Sequence, residues 1–204
     1  MAIHLHSGDL PEGLSFGGSV AVDSEAMGLR IGRDGLCVVQ LSAGDGDAHV
    51  VQLNRSGYDA PNLKRLLRDP DVLKIFHFAR FDIAMFEHHL GVTTGPIYCT
   101  KTASRLARTY TDRHGLKDLT RELLGLEISK AQQSSDWGAD TLTPEQLNYA
   151  ASDVLNLHAL KERLDAMLQR EGRTELARAC FEFLPWRARL DLAGWEDQDI
   201  FAHT

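Results

Sequence analysis

Polar and apolar positions alternate early in the chain. In GSVAVDSEAMGL (residues 18–29) Val20 and Val22 mark one face of a strand, and GLCVVQLSA (35–43) and AHVVQL (48–53) continue as two more. The connections GRDG (32–35) and GDGD (44–47) carry hairpin chemistry, so these strands are expected to run antiparallel after a polar start. AGDGDA (43–48) lacks the spaced ligands and terminal glutamate of a calcium loop and reads as a turn. At Pro61 the period changes. PNLKRLLRD (61–69) is a helix with proline in its first turn, LKIFHF (73–78) a short strand, RFDIAMFEHHLG (80–91) a helix closed by Gly91, and PIYCT (96–100) a strand. Strands separated by helices imply a parallel extension of the sheet. Downstream, TASRLARTY (102–110) and LKDLTRELLG (116–125) are helical, and Thr143-Pro144-Glu145-Gln146 opens a long helix running to about Arg170 with an N-cap, an N1 proline and a capping-box partner. The expected fold class is α/β: a mixed sheet, three antiparallel strands then parallel strands, flanked by helices.

Composition narrows this little. The 204 residues suit one domain, 1–204, large enough to bury a core without staples, and no apolar run reaches bilayer length. MAIHLHSGDL has no basic n-region followed by an apolar h-region, so the cytoplasm is the expected compartment and no membrane partner is expected. Cys37, Cys99 and Cys180, odd in number and widely spaced, read as free thiols. A net charge of −7 argues against coating long nucleic acid, yet residues 99–125 hold a local excess of basic groups, which could meet phosphates or form a solvated face. The end of the chain (about 181–204) carries Phe181, Phe183, Trp186, Trp195 and Phe201, so this aromatic tail must dock on its own domain or on a neighbouring subunit.

The candidate chemistry lies in four carboxylates and a phenol. Asp23 and Glu25, two apart on the first of these strands, face the same side of the sheet, where like charges repel unless a cation lies between them. Asp82 begins a helix near a strand end. Tyr149 and Asp153, four apart, project from the apolar side of the long helix beside Ala150, Val154 and Leu157. Carboxylates without cysteine or histidine favour hard ions, Mg2+ or Mn2+. His4, His6, His88 and His89 read as surface or structural residues, whereas His77 precedes the Asp82 helix and is placed near substrate.

Asp-x-Glu, a mid-chain Asp and Tyr-x-x-x-Asp in this order resemble the DEDD superfamily of 3′–5′ exonucleases, in the subclass with tyrosine in the third motif, and within it ribonuclease D. VAVDSEAMGL, KIFHFARFD, GLKDLTRELLGLEISKAQQSSDW and LNYAASDVLNL carry the resemblance over nearly the whole chain. It implies a ribonuclease H-like exonuclease fold. LCVVQLSAGDG, APNLKRLL, CTKTASRLARTYTDRHGLK and WEDQDIFAHT further resemble the short ribonuclease D-like nanoRNase C family. That family implies a homo-oligomer, an octameric ring, cleaving diribonucleotides such as pGpG, with activity on longer RNA or DNA also ascribed to it. The helical nucleic-acid-binding domains that follow the exonuclease domain in ribonuclease D are not expected here.

The implied site holds two divalent cations on Asp23, Glu25, Asp82 and Asp153, with Asp23 bridging both ions and Tyr149 orienting the attacking water or the scissile phosphate. Asp-x-Glu-x-x-Gly-Leu also resembles oligoribonuclease and makes Leu29, with Met27 beside it, a candidate wedge between bases; the alternative is an apolar cover for the sheet edge. Arg108, Tyr110, Arg113, His114 and Lys117 offer donors for the 5′ phosphate, from the same subunit or a neighbour. A general exonuclease on longer RNA or DNA and a non-catalytic nucleotide-binding scaffold are the competing expectations. Clustered charges that destabilise a metal-free fold are of no use to a scaffold.

Overall fold

The computed structural model describes residues 2–129 and 131–203. Met1, Lys130 and Thr204 lie outside it, and with them the two ends of the expected 1–204 domain and one position of the polar loop. Six strands form one sheet: β1 (Ile3–Ser7), β2 (Ser19–Ala26), β3 (Leu36–Ser42), β4 (Ala48–Gln52), β5 (Leu73–Phe76) and β6 (Ile97–Cys99). Their order is β1-β4-β3-β2-β5-β6. β2 with β3 and β3 with β4 are antiparallel, while β5 and β6 extend the sheet in parallel from β2. Every residue of β3 is buried, as befits a strand covered on both faces.

The helices are α1 (Pro61–Arg68), α2 (Ala79–Met85), α3 (Thr100–Ala107), α4 (Leu116–Leu119), α5 (Pro144–Leu155), α6 (Leu157–Arg170) and α7 (Thr174–Leu190). α5 lies across β2, β3 and β4. Under it Cys37, Val38, Val50, Trp137, Leu142 and Ala150 form a small core of their own; the main core includes Val39, Leu41, Leu63, Leu67, Ile75 and Phe86. Thr143 and Gln146 close the capping box that starts α5: Thr143 Oγ1 accepts from Gln146 N, and Gln146 Oε1 accepts from Thr143 N.

Three details depart from the sequence pattern. The polar start is a strand, β1, which pairs parallel with β4 and forms one sheet edge; its exposed positions hide the period-2 signal. The long helix expected from Thr143 to Arg170 breaks at Asn156, whose ψ of −2° ends α5 and begins α6. The front of the aromatic tail is helical, since Phe181, Phe183 and Trp186 belong to α7, which packs on α2. No helix among the described residues is long and apolar enough to cross a membrane. Cys37, Cys99 and Cys180 are free.

Candidate active site

β2 presents Asp23 and Glu25 on one face because successive side chains alternate, and α5 brings Asp153 down onto that face. The ligand atoms of Asp23, Glu25 and Asp153 lie within 4.8 Å of one another. Asp82 enters from α2. It is 3% exposed, accepts from Ser24 Oγ at 2.6 Å, and adds to the repulsion at Asp23. Gln40, directly opposite Asp23 on β3, donates Nε2–H to Asp23 Oδ2 at 2.8 Å.

These groups resist ionisation together. Burial pushes the Asp23 carboxyl well above the usual range, and repulsion from Asp82, Asp153 and Glu25 adds to it. Glu25 is raised to about 9 by burial and then by Asp153 and Asp82. Asp82 is raised to about 7, again by burial first, with the Ser24 hydrogen bond pulling the other way. A divalent cation offsets both effects by supplying the opposite charge, and an all-oxygen donor set suits a hard ion. The residues therefore fit the metal that their chemistry implies.

A cavity of about 650 Å³ opens above the carboxylates, a size that suits a small ligand. Tyr149 lines it one helical turn before Asp153. Burial, followed by the Asp153, Glu25 and Asp23 carboxylates, pushes its phenol upward, so it stays protonated and acts as a donor. Trp137 sits behind Tyr149 with ring centroids 5.9 Å apart, and Gln146 Nε2 donates to Ser135 Oγ at 2.8 Å and to the Asp136 carbonyl at 3.0 Å, fastening this loop to α5. On the facing wall Met27 is 60% exposed and Leu29 is 85% exposed. Gly28 between them is required: a Cβ there would stand 2.3 Å from Asp34 Oδ2, an oxygen already held by the Arg30 backbone N–H. Arg55 bridges this wall to the opposite loop, with Nη1 2.9 Å from Met27 Sδ and Nη2 donating to the Gly138 carbonyl at 2.8 Å.

His77 and Lys117 also line the cavity; His77 Nδ1 is 2.9 Å from Thr100 Oγ1. The remaining expected phosphate donors are elsewhere in this chain. Arg108 is fully buried, paired with Glu122 and bonded to Ser104 Oγ and the Arg113 carbonyl, so its guanidinium is committed inside the fold. Tyr110, Arg113 and His114 lie outside the cavity lining, and His114 Nδ1 is 2.8 Å from Ser104 Oγ. A basic run in sequence mixes structural and exposed cations, and only packing separates them.

Sequence pattern does not single out Ser24, Gln40 or Phe78, while Lys101 stands out only as part of the basic run 99–125 and Trp137 only as the end of GLKDLTRELLGLEISKAQQSSDW. Phe78 precedes α2 with φ of 71°, a left-handed conformation rare for an aromatic residue, and its half-exposed ring lines the cavity with Lys101 Nζ 4.2 Å from its centroid. For Phe78 the signal is its place in FHFARFD, directly before the Asp82 helix.

A family model described as 3′–5′ exonuclease matches residues 9–169. The ribonuclease D of Gluconacetobacter diazotrophicus is 37% identical over 156 residues, covering 76% of this chain but 39% of that protein, so the chain spans well under half the length of such curated relatives. Among solved structures, Brucella melitensis NrnC bound to pGG is 54% identical with a TM-score of 0.97 and full coverage of both chains. The same protein with bound Mg2+ is 53% identical with a TM-score of 0.96, again covering 100% of each chain.

Proposed function

The chain belongs to the 3′–5′ exonuclease family, and on that premise we propose that it is a metal-dependent exoribonuclease hydrolysing very short RNA, diribonucleotides such as pGpG above all, to nucleoside 5′-monophosphates. The convergence of Asp23, Glu25 and Asp153 beneath a cavity of small-ligand size carries this reading. The pGG-bound and Mg2+-bound relatives support the substrate class and the ion. Asp23, Glu25 and Asp153 would hold one Mg2+ or Mn2+, and Asp82 with Asp23 a second. When bound, such ions lower the pKa of the attacking water and neutralise charge on the leaving 3′ oxygen.

The chain's own side chains do the rest. Tyr149, held protonated, donates a hydrogen bond that orients the water or the scissile phosphate. Leu29 and Met27 present apolar surface to the bases, Phe78 offers a stacking face, and Lys101 and Lys117 meet phosphate charge. His77 is placed to contact the same substrate.

Exposed Phe183, Trp186, Trp195 and Phe201 support a homo-oligomer, for which the family resemblance implies an octameric ring. In such a ring a neighbour could supply Tyr110, Arg113 or His114 to this cavity. One catalytic unit spanning 1–204 and a cytoplasmic location fit this reading. A time course with Mg2+ or Mn2+ on 5′-phosphorylated RNAs of two to ten nucleotides tests it. Fast cleavage of the dinucleotide relative to the longer substrates is expected. Equal rates at all lengths would leave a general ribonuclease D-like exonuclease on longer RNA or DNA.

A further inference from the structure

Gln40 sits within β3, the strand that is buried along its whole length, and is itself 0% exposed. On the face of the sheet beneath α5 its neighbours are Val38, two residues before it, and Val50, directly across on β4, which share the small apolar core with Ala150. A carboxamide in such a layer loses its water and has to find partners within the protein. Gln40 finds one. Its Nε2–H donates to Asp23 Oδ2 at 2.8 Å across the β2–β3 pair, while Oε1 is buried with no hydrogen-bond partner among the described residues. Turning the amide over would set Oε1 against a carboxylate oxygen, so an ionised Asp23 keeps the donor facing it.

Given the metal-dependent reading above, we propose that Gln40 is a positioning residue for the ion site: by holding Asp23 Oδ2 it sets the plane of the Asp23 carboxyl before any ion binds, although it lies outside the cavity lining and away from substrate. The terminal torsion of an aspartate is soft, so an unheld Asp23 carboxyl would turn and have to be fixed at the moment of binding. One hydrogen bond from a fully buried donor on the neighbouring strand removes that freedom in advance. Loss of a partner of this kind commonly weakens metal binding by about ten- to a hundredfold.

A neutral donor suits the task. An arginine in its place would supply the positive charge that the carboxylates keep for an ion, as Arg80 and Arg187 do at Asp191, whereas an apolar residue would leave Asp23 unheld. The orphaned Oε1 opposes folding, and an apolar side chain would fill this layer without an unpaired acceptor, so packing alone does not account for Gln40.

Mn2+ binding to the full chain, read from the electron paramagnetic resonance of free Mn2+ with no RNA present, tests this role. Gln40→Met keeps the length and bulk of the side chain but donates nothing. It should weaken Mn2+ binding by about tenfold or more, and melt in EDTA at or above the wild-type temperature because the unpaired oxygen has gone. Val50→Ala, directly across from Gln40 on the same face, is the structural control: it should lower the melting temperature and leave Mn2+ affinity unchanged. Turnover of Gln40→Met on short RNA should fall at limiting Mn2+ and recover in excess, as a lost affinity does and a lost catalytic group does not. Equal Mn2+ affinity in Gln40→Met and wild type, or the same loss of affinity in Val50→Ala, overturns the role. A wild-type chain that takes up no Mn2+ would instead remove the metal-dependent reading, and the role of Gln40 with it.

Discussion

Asp82 and Asp191 are both aspartates with less than a tenth of their surface exposed, yet their surroundings differ. Asp191, just after α7, meets two guanidinium groups: Arg80 binds it with two hydrogen bonds, at 2.6 and 2.7 Å, and Arg187 pairs with it at 2.5 Å. Asp82, two residues after Arg80, meets the Ser24 hydroxyl, and nearby Asp23 meets the Gln40 amide. The chain thus places two guanidinium groups around the carboxylate that fastens its C-terminal helix, whereas Asp82 and Asp23 accept from a hydroxyl and an amide. A buried carboxylate compensated by arginine is structural; one raised in pKa among its own kind is kept for an external charge.

Exchanging the two cases should separate activity from stability. Asp23→Asn should lower exonuclease turnover by about a thousandfold or more, since the proposed ions would lose one of the carboxylates that hold them. The same variant should melt at an equal or higher temperature than wild type in EDTA, because a carboxyl whose ionisation the fold opposes has been replaced by a neutral amide. A destabilised Asp23→Asn protein would overturn the view that this charge is uncompensated in the metal-free fold. Asp191→Ala should do the reverse, costing about 3 kcal/mol in denaturant unfolding because two guanidinium groups are left facing each other, while Mg2+-dependent activity persists.

The pH effect is smaller and has a definite sign. The Glu25 carboxyl, ordinarily near 4.5, is raised to about 9 in the metal-free fold. Below the ordinary value both folded and unfolded chains hold this proton. Between the two values only the folded chain holds it, so unfolding releases it and stability falls as pH rises through that window, by at most about 1.4 kcal/mol per pH unit for one group. The melting temperature in EDTA should therefore drop from about pH 5 to about pH 9, and excess Mg2+ should flatten the slope. A slope unchanged by Mg2+ would show that the ion does not replace those protons.

Much was legible in the chain alone. Val20 and Val22, the hairpin turns, the capping box at Thr143 and Gln146, and the helix–strand alternation after Pro61 announce the mixed sheet, because backbone period and turn chemistry act over a few residues. The spacing of Asp23 with Glu25 and of Tyr149 with Asp153 puts each pair on one face for the same reason. Tertiary structure alone decided the rest. It turned the polar start into an edge strand, broke the long helix at Asn156, buried Arg108 against Glu122 and left Leu29 exposed beside the carboxylates. Each depends on which distant surfaces meet, and neither hydrophobic period nor local charge encodes that; whether a charged side chain faces solvent, a partner or a cavity is settled only when the elements pack.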